Sequence, residues 1–153
     1  MATLQAGDLA PLFIAKNQNG ETVSLTDFKG KKVILYFYPK DNTPGCTAEA
    51  CDFRDNYQSL TARGFEVIGI STDDEKSHKK FEAKFELPFT LIADTDKTIV
   101  ESYGVWVEKS MYGKSYMGTS RKTFLIDEEG KIITVIDKVD TKQPSKQLLE
   151  LVG

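Results

Sequence analysis

An α/β fold with a mixed central sheet flanked by helices is what this sequence predicts, and three observations carry the prediction. Two short runs, Val33 to Tyr38 and Glu66 to Thr72, have the length and the aromatic and β-branched content of buried strands, with a helical pattern between them. A second helical pattern and a third short strand, Thr90 to Ala93, continue the alternation. Hairpin signals precede and follow it, so the order reads hairpin, β-α-β-α-β, short helix, hairpin, final helix. For a chain of 153 residues one domain over 1–153 is the natural expectation.

Taken in order, residues 12 to 25 alternate weakly around the turn Asn17-Gln18-Asn19-Gly20 and read as a β-hairpin. Asp27 to Lys32 is a polar, glycine-containing turn before the strand Val33 to Tyr38. Pro39 stops that strand, and Asp41, Asn42, Pro44 and Gly45 make a tight polar loop. The helix that follows carries Phe53, Tyr57 and Leu60 on one face and ends near Gly64. After the second strand, Asp73 and Asp74 supply N-cap chemistry for a helix to about Phe85, with Phe81 and Phe85 on one face. Leu87 and Pro88 close it. Lys97 to Tyr103 is a short helix ending at Gly104. Val105 to Thr119 is glycine- and tyrosine-rich without clear period and is expected as a long loop or irregular strand. Lys122 to Asp127 and Lys131 to Asp137 form a hairpin, and Ser145 to Val152 a last helix with Leu148, Leu149 and Val152 as its apolar face.

Composition excludes several function classes. A net charge of -3 with both signs interspersed offers no basic surface for nucleic acid or anionic membrane. The longest apolar runs fall far short of a bilayer span, and Met1 to Ala10 lacks the basic and apolar regions of a signal peptide. Two cysteines do not make a secreted disulfide framework, so a reducing compartment, the cytoplasm, is expected.

Both cysteines, Cys46 and Cys51, fall in the first turns of the helix after Pro39. With Thr43 as N-cap and Pro44 at the first helical position, Cys46 sits at the third. A thiol there faces unpaired backbone N–H groups and the positive end of the helix dipole, and both favour thiolate over thiol. Cys46 therefore reads as an activated nucleophile. Cys51 lies five residues on, which in a regular helix separates the two Cα atoms by roughly 8.6 Å. A disulfide needs about 7 Å or less. Bonding therefore requires the first turns to unwind, which implies a reduced, folded state and an oxidised, locally unfolded one.

The run Y-P-K-D-N-T-P-G-C-T-A-E-A-C-D-F-R-D resembles the active site of the atypical two-cysteine peroxiredoxins, and within them the bacterioferritin comigratory protein or peroxiredoxin Q subfamily. The motif P-x-x-x-[ST]-x-x-C is met by Pro39, Thr43 and Cys46, and a second cysteine five residues later by Cys51. Outside the site, K-S-H-K-K-F, L-P-F, M-Y-G-K and R-K-T-F-L-I-D-E-E-G-K-I extend the similarity over nearly the whole chain. The resemblance implies a thioredoxin-like fold with an N-terminal hairpin extension. It implies a peroxidase for hydrogen peroxide and alkyl hydroperoxides, without metal, haem or flavin, recycled by thioredoxin or a similar dithiol. It makes Cys46 the peroxidatic and Cys51 the resolving cysteine. The Thr43 hydroxyl then contacts thiolate and peroxide, Pro39 shields the thiolate from water, and Arg121 stabilises it. Relatives include monomers and dimers, and a monomer is expected here. The tail departs from the pattern, with Ile136 and K-Q-P-S-K-Q where relatives often carry a tryptophan and a G-H pair. The chain has no G-G pair, so it lacks the G-G-L-G element of overoxidation-sensitive relatives and is expected to resist excess peroxide.

Each site residue also has a plainer reading. Cys46 and Cys51 suit small core positions, Thr43 a simple N-cap, Pro39 a strand stop and Arg121 a surface charge at a strand start. Glu49 reads as a dipole partner outside the catalytic core, and His78, in the lysine-rich run, as a solvated helix residue. A zinc site from Cys46, Cys51 and His78 lacks a fourth ligand, and a Cys-His hydrolase has only this unpromising base. Two other functions compete. A general thiol–disulfide oxidoreductase is opposed by the missing C-x-x-C. A peroxide-responsive redox sensor differs from a peroxidase only in turnover.

Overall fold

The structure, a computed structural model, describes residues 3–152. Residues 1, 2 and 153, with the outer ends of the expected 1–153 domain and the start of the Met1–Ala10 segment, lie outside the described residues. In chain order the elements are β1 (Ile14–Asn17), β2 (Thr22–Ser24), a 3-10 turn (Leu25–Phe28), β3 (Lys32–Phe37), α1 (Pro44–Ala62), β4 (Phe65–Ser71), α2 (Glu75–Phe85) and β5 (Thr90–Ala93). They continue as α3 (Thr98–Ser102), β6 (Trp106–Met111), β7 (Lys114–Thr119), β8 (Lys122–Ile126), β9 (Ile132–Ile136) and α4 (Pro144–Val152).

Seven strands form one sheet in the order β2-β1-β5-β4-β3-β8-β9. β3, β4 and β5 are parallel and joined by α1 and α2, while the two outer hairpins add antiparallel strands, so the sheet is mixed. The N-terminal hairpin is part of this sheet, because β1 pairs with β5. β3 lies deep inside, and its alternation divides the core in two. Val33, Leu35 and Phe37 pack with Ile99, Val100 and Phe124 on one face. Ile34, Tyr36 and Tyr38 pack on the other with Phe53 of α1, Phe81 of α2 and Leu148 of α4. Each fully buried side chain of this kind contributes roughly 1.5–3 kcal/mol, so this strand is the rigid base of whatever follows it.

One expected irregular stretch is regular. Val105 to Thr119, read from sequence as a long loop or irregular strand, holds the antiparallel ribbon of β6 and β7, a separate two-stranded sheet. Its turn residues Tyr112 (φ 53) and Gly113 (φ 76) are both left-handed, the geometry that lets a two-residue turn follow the twist of its strands. Tyrosine is rarely found there, so the turn carried no recognisable signal. Part of the expected turn at Asp27 to Lys32 is likewise ordered, as the end of the 3-10 turn whose N-cap Ser24 and third residue Asp27 satisfy each other's N–H groups.

Two features of this frame place the chemistry. α1 begins beyond the carboxyl end of β3, where α/β sheets commonly hold their sites. The antiparallel register pairs Phe37 with Lys122, so Arg121, just before β8, stands beside that same end. Among the described residues, no helix is long and apolar enough to cross a membrane.

Candidate active site

The helix carrying both cysteines starts where its sequence predicts. Thr43 is the N-cap in extended conformation, Pro44 opens α1, and Cys46 is its third residue, 1% exposed. The capping bond expected of Thr43 is absent. Its hydroxyl instead donates to the Lys40 carbonyl at 2.9 Å, inside the loop. Pro39 is half-buried in that loop, beyond the last residue of β3, as its missing N–H requires.

Arg121 is the residue that turns a buried thiol into a polar site. Its Nη2 donates to Cys46 Sγ at 3.2 Å, and its Nη1 donates to Glu49 Oε1 at 2.7 Å. Cys46 and Glu49 lie three residues apart and thus on one face of α1, so the planar guanidinium fork spans both at once. Burial works against the Arg121 charge, but the Cys46 sulfur and the Glu49 carboxylate more than offset it and hold the group above its ordinary value. Gly45 makes the approach possible: a Cβ built there would stand 3.2 Å from Arg121 Nη2. The plain reading of Arg121 as a surface charge is thereby replaced, since only 22% of its side chain is exposed.

Glu49 corrects the sequence reading that set it apart from the site. It is fully buried, its Oε2 has no partner among the described residues, and burial, opposed by Arg121, pushes its carboxyl up to about 7. The signal that locates it is its spacing from Cys46, one turn along the same face.

His78 is the second correction. Rather than solvated, it is fully buried, with Nδ1 2.7 Å from Asp41 Oδ2 and Nε2 2.9 Å from the Ile92 carbonyl. Asp41, in the loop before α1, also accepts from the Tyr38 hydroxyl at 2.6 Å and the Ser77 hydroxyl at 2.8 Å. The Asp41 N–H donates to Asp73 Oδ2 at 2.9 Å. Asp41, Asp73 and His78 bring three potential ligand atoms within 4.8 Å of one another, but these groups are already joined by the hydrogen bonds just given. The spacing of His78 with Phe81 and Phe85 places it on the inward stripe of α2, which is how the sequence marks it as buried.

Cys51 is half-buried on the same intact helix, and both cysteines are free. One residue on, Asp52 Oδ1 accepts from the Ser145 N–H at 3.0 Å, which ties α1 to the start of α4. Four of the five expected site residues, Pro39, Thr43, Cys46 and Cys51, thus lie in the loop and first two turns after β3. The fifth, Arg121, reaches Cys46 from the residue just before β8.

The AhpC/TSA family profile matches residues 6–135. The chain is 50% identical over 141 residues to a protein of Escherichia coli (strain K12) named peroxiredoxin Bcp, a match covering 92% of this chain and 90% of that one. It is 47% identical over 148 residues to peroxiredoxin Bcp of Bacillus subtilis (strain 168), covering 97% and 94%. Among solved structures it is similar to the Xanthomonas campestris bacterioferritin comigratory protein, described with trapped intermediate and ligand complexes and an alkyl peroxide reduction activity. That likeness has a TM-score of 0.86 at 34% identity, covering 92% of this chain and 89% of that one. The mixed sheet flanked by helices is accordingly a thioredoxin-like fold.

Proposed function

The chain belongs to the AhpC/TSA family and is a thiol-dependent peroxidase, and on that premise we propose that Cys46 reduces hydrogen peroxide and organic hydroperoxides and is resolved by Cys51. The observation that carries the reading is the Arg121 guanidinium 3.2 Å from a cysteine sulfur at a helix N-terminus, with a second free cysteine on the same helix.

In this reading the Cys46 thiolate attacks the terminal oxygen of ROOH. The S–O bond forms as the O–O bond breaks, giving a sulfenic acid and an alkoxide that takes a proton and leaves as ROH. Arg121 and the N–H groups near Gly45 and Cys46 stabilise charge on the two oxygens during transfer, and the Thr43 hydroxyl holds the peroxide. Pro39 limits water at the thiolate. The loop and first helical turns then unwind, and Cys51 attacks the sulfenate sulfur. Water departs and the Cys46–Cys51 disulfide forms. A thioredoxin-type dithiol restores both thiols by exchange, so electrons come from thiols throughout. The relatives named peroxiredoxin, and the alkyl peroxide activity of the Xanthomonas protein, support the substrate class. A single domain over residues 1–153, working as a monomer in the cytoplasm, completes the proposal.

The test is peroxide consumption with thioredoxin, thioredoxin reductase and NADPH. Wild type is expected to turn over continuously, Cys46→Ser to be inactive, and Cys51→Ser to react once without cycling on thioredoxin. A wild type that forms one Cys46–Cys51 bond and then stops would overturn the peroxidase cycle in favour of a sensor.

A further inference from the structure

The segment that has to unwind is bracketed by two fixed points. Beyond Cys51, the Asp52–Ser145 bond and fully buried Phe53 hold α1 against α4 and the sheet. Before Cys46, the fixed point is Asp41. Three side chains, Tyr38, Ser77 and His78, converge on its carboxylate, and its own N–H is held by Asp73. Between these points Arg121 holds the helix start through Cys46 and Glu49, while its capping is weak. Thr43 gives it no capping bond, and its first turn has no acidic side chain to complement the dipole.

We propose that the buried Asp41–His78 pair is a positioning latch that keeps the Pro39–Thr43 loop closed and so sets the ratio between the helix that presents Cys46 to Arg121 and the unwound form in which Cys51 reaches it. The proposal rests on the disulfide route above. His78 is suited to the task because it joins three elements. The Ile92 carbonyl of β5 can only accept, so Nε2 carries a proton and fixes the ring. Nδ1 then lies 2.7 Å from Asp41 Oδ2, and α2 supplies the backbone. With the latch closed, only the residues after Asp41 gain freedom on unwinding. With it broken, the preceding loop gains freedom too, and the closed form loses a hydrogen bond to a buried carboxylate. Both effects favour the unwound form, by roughly tenfold to a hundredfold in the ratio.

The experiment follows one turnover. Reduced protein meets one equivalent of hydrogen peroxide, is quenched by alkylation at intervals, and the sulfenic acid, disulfide and sulfinic acid are resolved by mass spectrometry. His78→Leu, which has no donor for Asp41, is expected to form the disulfide about tenfold faster than wild type and to accumulate less sulfinic acid at excess peroxide. His78→Asn, whose amide nitrogen falls where Nδ1 stood, is expected to return to near the wild-type rate. Val100→Ala, a cavity in the core on the other face of the sheet, lowers the melting temperature without changing the rate. If His78→Leu does not fold, Ser77→Ala removes one donor to Asp41 from a half-buried position and is expected to accelerate disulfide formation several-fold. Unchanged or slower disulfide formation in His78→Leu, or in Ser77→Ala where His78→Leu does not fold, or equal acceleration in Val100→Ala, would overturn the proposal. A wild type that forms no Cys46–Cys51 bond at all would instead sink the disulfide route itself, before any variant is compared.

Discussion

Arg121 divides one cation between two groups on the same helix face, the Cys46 sulfur and the Glu49 carboxyl. Burial of the Glu49 carboxyl, opposed by Arg121, makes it hold a proton up to about 7. This has a stability consequence whose sign follows from the shift. The folded chain holds the Glu49 proton above the range in which the unfolded chain releases it, near 4.5. The Glu49 contribution is therefore fully present below about pH 4.5 and lost as pH rises through about 7, by up to about 3 kcal/mol. Urea unfolding of the reduced protein across that window should show this slope in wild type and its loss in Glu49→Gln. Thr43 gives a second prediction. Its hydroxyl does not cap α1, so Thr43→Val should leave helix stability within about 0.5 kcal/mol while reducing peroxide reactivity by about tenfold or more. The sequence pointed to Cys46 and Thr43 through motif spacing and to Arg121 through the resemblance of the segment it opens. It left out Glu49 and His78 because a charged or titratable side chain is by default exposed, and only its place on a helix face says otherwise.

At the scale of elements, the contrast between α1 and the strand before it matters most. β3 is stiff, and part of its stiffness comes from a missing side chain on its neighbour. Gly69 of β4 is paired with Tyr36, and a Cβ there would meet the Tyr36 ring at 2.9 Å and Leu91 at 3.0 Å. The ring cannot yield, since it packs on Tyr38 and Phe53 with centroids 5.4 and 4.9 Å away. Gly69→Ala is expected to destabilise by about 1–3 kcal/mol in chemical denaturation, through overpacking alone. The elements most legible in the sequence were β3 and β4, as short apolar runs rich in aromatic and β-branched residues, and the helices that follow them, by the spacing of their apolar faces. The β6–β7 ribbon was not, because its turn puts a tyrosine in a conformation that asparagine or glycine normally signals.

For the whole molecule, local stability should be uneven in a definite pattern. Amides of β3, β4 and β8, buried in the middle of the sheet, are expected to exchange most slowly with solvent. Those of the first two turns of α1 should exchange fastest among helical amides, and faster still after peroxide treatment; hydrogen exchange with mass spectrometry reads both. Fold class and strand order along the chain were readable from periodicity. The joining of the N-terminal hairpin to β5 and the position of β8 beside β3 were not, because pairing between distant strands leaves no local pattern. That last pairing also fixes when the site comes into being. Cys46 and Arg121 are 75 residues apart, brought together only when β8 docks on β3. During synthesis both cysteines leave the ribosome long before the guanidinium does. A nascent chain therefore carries its thiols without the guanidinium, and the Cys46–Arg121 pair is assembled only once β8 has docked.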